Sequence, residues 1–94
     1  MYAAVRRYEG VTDPAEAARI VSEGFVPLMR GVPGFVAYYW IDAGDGVMLS
    51  TSVFQDRAGV EASIATAADF VRDHLTALLP NPPQVTSGEV VALA

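Results

Sequence analysis

Residues 31–54, GVPGFVAYYWIDAGDGVMLSTSVF, constrain the fold more than any other part of the chain. They hold two apolar and aromatic runs, 35–41 and 47–54, joined by the turn sequence DAGDG. Gly44 and Gly46 can take positive φ, so the two runs read as a β-hairpin. A strand with one wet face alternates apolar and polar residues, because successive side chains point to opposite faces. These strands hardly alternate. The first carries Phe35, Ala37, Tyr39 and Ile41 on one face and Val36, Tyr38 and Trp40 on the other. The second carries Val47, Leu49, Thr51 and Val53 on one side and Met48, Ser50, Ser52 and Phe54 on the other. Both faces of such a hairpin need a cover.

The rest of the chain supplies one cover. Residues 2–8 read as a first strand rich in Val and Tyr. Asp13 is a good N-cap, Pro14 suits the first helical position, and Ala17, Ile20, Val21, Phe25 and Leu28 fall at helical spacing. Pro27 lacks the N–H that would bond back to Glu23, which predicts a kink or break near Gly24. Asp56 can cap a second helix, whose apolar stripe is Val60, Ile64, Ala67, Val71, Leu75 and Leu78. Thr66 and Asp69 could cap a separate piece, so a break is expected near residue 65. The sequence LLPNPPQ stops the helix, and residues 85–93 read as the last strand. The order is βαββαβ, an α+β ferredoxin-like pattern with both helices on one face of a four-stranded antiparallel sheet. The second face then has to be covered by another molecule, because large apolar patches mark interfaces. A homodimer is the simplest expectation.

With 94 residues the chain is one domain, spanning 1–94. It has no cysteine and a single histidine, His74, so a metal site is not expected. The net charge of −5 opposes phosphate backbones and anionic membranes, which argues against nucleic-acid and membrane partners. No apolar stretch has the length of a membrane helix, and the first ten residues lack a signal-peptide pattern, so a cytoplasmic protein is the default expectation.

Element order, the turn GVPGF (31–35), STSVFQDRAGVEAS (50–63) and DFVRDHLTALLP (69–80) together resemble the dimeric α+β barrel proteins. Within them the chain is most similar to the antibiotic biosynthesis monooxygenase-like group. The resemblance runs over nearly the whole chain. It implies two sheets facing each other as a barrel, and in each subunit a small cavity between the sheet and its own helices. It also implies cofactor-independent oxygenation of small aromatic or polyketide-like molecules as one activity of the group. Heme degradation and muconolactone-type isomerisation are others. The heme-degrading branch uses an Asn on the first strand, a Trp at the end of the third and a His on the later helix. Here His74 matches the last, Phe54 stands at the Trp position, and the first strand offers Arg6 or Arg7 instead of Asn. Heme binding is therefore not expected, nor any other cofactor.

The candidate catalytic residues are His74 and Tyr39, with Phe54, Tyr39, His74 and Arg7 as candidate ligand contacts. Only one of Tyr38 and Tyr39, and one of Arg6 and Arg7, can face the cavity. Simple hairpin pairing with Phe54 selects Tyr39, but a register change of one residue reverses the choice. The Arg that points inward needs a carboxylate such as Glu89, or an anionic ligand. Three functions compete: a cofactor-free monooxygenase, a non-catalytic dimeric module that binds a small ligand, and an isomerase or lyase using His74 or a Tyr. A pocket on which His74 and an Arg converge favours an enzyme, and a filled space favours the module.

Overall fold

A computed structural model describes residues 1–94. Its elements are β1 (Tyr2–Tyr8), α1 (Pro14–Ile20), a π-helical turn (Val21–Phe25), α2 (Val26–Arg30), β2 (Phe35–Gly44), β3 (Val47–Phe54), α3 (Arg57–His74) and β4 (Gln84–Glu89). The strands form one antiparallel sheet in the order β2-β3-β1-β4. This is the α+β ferredoxin-like architecture expected from the element order.

Local chemistry starts both helices. The Asp13 carboxylate accepts from the Glu16 amide at 3.2 Å, and the Asp56 carboxylate accepts from the Gly59 amide at 3.1 Å. Each bond satisfies one of the free N–H groups at a helix start. Pro27 does not break the first helical unit. The backbone widens into the π turn just before it, where the Val26 amide donates to the Val21 carbonyl, and Pro27 then sits in the first turn of α2. A wider turn removes the clash that a proline ring makes with the preceding carbonyls. The irregularity expected near Gly24 is thus this π turn, whereas the break expected near residue 65 is absent, since α3 runs without interruption through 18 residues. The Thr66 hydroxyl donates back to the Ala62 carbonyl instead of capping a new helix.

The core lies between the helices and one face of the sheet. Ala4, Tyr8, Met48 and Phe54 from the strands meet Ala17, Val21, Phe25 and Met29 from the first helical unit and Val60, Ala67 and Phe70 from α3. On the opposite face Val5, Val36, Tyr39 and Ile41 are exposed. The last strand ends at Glu89 and not at 93. Its neighbour β1 begins at Tyr2, opposite Glu89, and one further bond runs from the Val90 amide to the Met1 carbonyl. Val91 and Leu93 are exposed.

Candidate functional site

Two irregularities in β2 decide which side chains reach the core side of the sheet. Next to the turn, Asp42 pairs with Met48 but Gly44 pairs with Val47, so Ala43 is an extra residue. At the far end Phe35 pairs with Phe54 and Ala37 with Val53, so Val36 is a second extra residue. Each bulge shifts the alternation by one. Between them Tyr38 lies opposite Ser52 and Trp40 opposite Ser50, on the helix side, while Tyr39 pairs with Thr51 on the open side. Regular pairing from the turn would have produced the reverse.

β1 completes this floor. Arg6 pairs with Ser50 and Tyr8 with Met48, all four buried. The Tyr8 and Trp40 rings stand 5.5 Å apart. The roof comes from Val21 and Phe25 of the π turn and from Ala67, Phe70 and Val71 of α3, with Leu75 just beyond it. The Phe25 ring meets Tyr38 and Phe70, each at 5.3 Å. Gly24 lets Phe70 come close, because a Cβ there would stand 2.9 Å from the ring. Between floor and roof is a cavity of about 10 Å³, room for about one water. Arg6, Tyr8, Ala67 and Val71 also border a cleft of about 400 Å³ between α3 and β4, closed at one end by residues 80–83.

Arg6 is the chemical singularity of this site. It is 3% exposed, and neither Nη1 nor Nη2 has a hydrogen-bond partner. Burial lowers the guanidinium pKa from its ordinary value, with neighbouring Tyr8 and Tyr38 opposing that shift. Burial likewise raises the pKa of both phenols; at Tyr38 the Ser50 hydroxyl offsets part of the rise. Both tyrosines are therefore neutral donors at physiological pH. Trp40 Nε1 and Ser52 Oγ are also buried without partners. Orphaned buried donors are rare in folded proteins, and an uncompensated charge is the most costly kind.

The structure rearranges the residues expected from sequence. Phe54 is fully buried under Gly59, with its ring 5.8 Å from that of Phe35, and it packs the core beside the cavity without lining it. Arg7 is not the inward arginine. It lies on the open side of β1 and pairs with Glu9 at 3.1 Å, because Arg6 occupies the helix-facing position opposite Ser50. Tyr39 is 61% exposed on the open face, as the Ala43 bulge requires, and Tyr38 takes its place. His74 is exposed near the end of α3, outside the cavity, where it stacks on Phe70 at 4.6 Å. Glu89 lies opposite Tyr2, exposed, and makes no ion pair with Arg6. Tyr8, Tyr38 and Trp40 thus join Arg6 in place of the histidine. The Asp-Ala-Gly sequence before the turn was the signal for that change, since an aspartate two residues before a glycine favours a local turn.

No family model matches the sequence, and no curated protein matches it either. Solved structures do. A protein of unknown function from Nitrosomonas europaea is 23% identical with a TM-score of 0.83, covering 99% of this chain and 91% of that one. The monooxygenase ActVA-Orf6 of Streptomyces coelicolor, solved with the ligand nanaomycin D, is 19% identical with a TM-score of 0.77, covering 99% and 89%. SnoaB of Streptomyces nogalater, a cofactor-independent oxygenase, is 19% identical with a TM-score of 0.74, covering 98% and 94%. No helix of this chain is long and apolar enough to cross a membrane. With its element order, sheet topology and whole-chain superpositions, the chain has the ferredoxin-like fold of the antibiotic biosynthesis monooxygenase-like proteins.

Proposed function

We propose that this chain is a homodimeric, cofactor-independent monooxygenase of a small aromatic or polyketide-like molecule, bound against Arg6. The observation that carries this reading is the unpartnered, buried guanidinium set among Tyr8, Tyr38 and Trp40. Aromatic walls fit a flat ring, and a fixed cation in a dry site favours an anion more than it would in water. The likeness to SnoaB, a cofactor-independent oxygenase, and to the monooxygenase ActVA-Orf6, solved with nanaomycin D, supports an oxygenase that takes a small molecule.

Without a cofactor, the electrons that reduce dioxygen come from the substrate. The balanced reaction is a ring-activated CH₂ plus O₂ giving C=O plus water, with all four electrons drawn from that carbon. The cavity lining holds no carboxylate and no imidazole. Its only titratable groups besides Arg6 are Tyr8 and Tyr38, both held protonated by burial. The substrate must therefore be acidic enough to ionise largely by itself, with Arg6 stabilising the anion and the neutral phenols orienting it.

The open face supports a dimer: Val5, Tyr39 and Ile41 lie there beside Leu49, Thr51 and Val53. A second sheet packed on it buries both patches at once. A non-catalytic, ligand-binding dimer is the second reading. It is favoured by the small size of the cavity and by His74 lying outside it. Oxygen uptake with tricyclic phenols that carry an activated CH₂ separates the two. The oxygenase reading expects one O₂ consumed per C=O formed, with no added cofactor. Tight binding with uptake no faster than the protein-free rate overturns it in favour of the module.

A further inference from the structure

We propose that the ligand is a small carboxylic acid with a flat apolar body. Its carboxylate sits on Nη1 and Nη2 of Arg6, and its body lies in the cleft between α3 and β4, which is also the entrance. This rests on the small-molecule reading of the site, but not on oxygenation.

Two guanidinium nitrogens left free side by side form a planar fork, which matches the two oxygens of a carboxylate. Nothing in the chain fills that role. The acidic partners of the other ion-paired arginines are Glu9 for Arg7, Glu16 and Glu23 for Arg19, and Asp69 and Asp73 for Arg72. A single buried guanidinium balances one negative charge. A phosphate dianion would bring a second, uncompensated charge into an apolar site.

The body of the ligand needs more room than the cavity of about 10 Å³ has. Arg6 lines both spaces, so a ligand held on its fork has the cleft beside it for its body. The cleft, about 400 Å³, falls within the usual range for small-molecule sites. Its walls include Ile64, Val71, Val85 and Pro83, which suit a flat hydrocarbon. The chain has 11 acidic residues and 6 basic ones, yet the cleft lining contains two arginines, Arg6 and Arg72, and no acid. Arg72 is already paired with Asp69 and Asp73, so Arg6 is the charge in the cleft lining that is left for an anion.

Calorimetric titration and thermal melting of the full chain with 2-naphthoic acid, 2-naphthamide and 2-naphthyl phosphate provide the test. The acid should bind at least tenfold more tightly than the amide and more tightly than the phosphate, and raise the melting temperature. Arg6→Met should remove the preference for acid over amide. Ala68→Trp, at an exposed position on the cleft wall, should keep the fold and weaken acid binding at least tenfold, whereas the control His74→Ala should leave it unchanged. Equal binding of acid and amide, tighter binding of the phosphate, or unchanged acid binding in Ala68→Trp overturns the proposal. The comparison among the three ligands needs no variant, so it decides the matter even if Arg6→Met misfolds. Acid binding, together with no oxygen uptake from the tricyclic phenols that carry an activated CH₂, supports this inference and sinks the oxygenase reading. Oxygenation of tricyclic phenols by the unaltered chain, with 2-naphthoic acid and 2-naphthamide bound equally, does the opposite.

Discussion

The Asp42 carboxylate accepts a hydrogen bond from the Gly44 amide at 3.0 Å, and this short link closes the bulge that turns Tyr38 and Trp40 toward Arg6. Gly44, Asp45 and Gly46 all have positive φ, with Asp45 and Gly46 forming the tight turn. One residue extra on this side of the turn therefore moves the aromatic side chains of β2 across the sheet.

Replacing Arg6 should reveal a conflict between stability and binding. The guanidinium is buried without a partner, so Arg6→Met removes a desolvation cost while keeping much of the side-chain volume. The ligand-free protein should gain about 1–3 kcal/mol in urea unfolding. A loss of stability instead would mean that Arg6 is satisfied within the chain.

Tyr8 and Tyr38 should make the fold sensitive to alkali. Burial raises the pKa of both in the folded state, so the unfolded chain loses these protons first as pH rises. Their contribution is fully present below the ordinary tyrosine pKa, near ~10, and is lost as pH climbs above it. Stability should fall by roughly 1.4 kcal/mol per pH unit for each group in that range. Denaturant curves from pH 9 to 11 measure the slope, and Tyr8→Phe and Tyr38→Phe should each flatten it.

Gly59 should not tolerate a side chain. It lies in the first turn of α3, where an added Cβ would stand 2.8 Å from Phe54 Cδ1. Alanine improves helix propensity by up to ~1 kcal/mol, but the rigid, fully buried ring has nowhere to move. Gly59→Ala should destabilise the protein by about 1–2 kcal/mol net, read from the shift of the unfolding midpoint.

The open face should hold a second copy. Light scattering at micromolar concentration should give twice the 10.0 kDa of one chain, with an interface of ~2,000 Å² or more. Val53→Asp would bury an unpaired charge there and should dissociate or unfold the dimer. Tyr39→Ala should weaken the dimer and leave ligand affinity unchanged, since the ring lies on the far side of the sheet from the cavity. A stable, well-folded monomer would remove the barrel from this account.

The sequence by itself determined the elements and their order. Asp13, Asp56 and the prolines act within a few residues of themselves, and helical spacing marks which face of each helix is apolar, so both helices and the hairpin were legible from local chemistry. The apolar character of both sides of the sheet was equally legible, because it depends only on composition along two strands. What the tertiary structure decided is the inventory of the site. Whether Tyr38 or Tyr39 faces the helices depends on one bulged residue, and a period of two converts that single step into a change of face for every neighbour. Whether Arg6 or Arg7 points inward depends on the pairing of β1 with β3, strands separated by both α1 and β2 in sequence. His74 looked available as a cavity residue, but its place near the end of α3 puts it outside, stacked on Phe70. Side-chain direction, fixed by long-range pairing, separates the residues that the chain contains from those that meet.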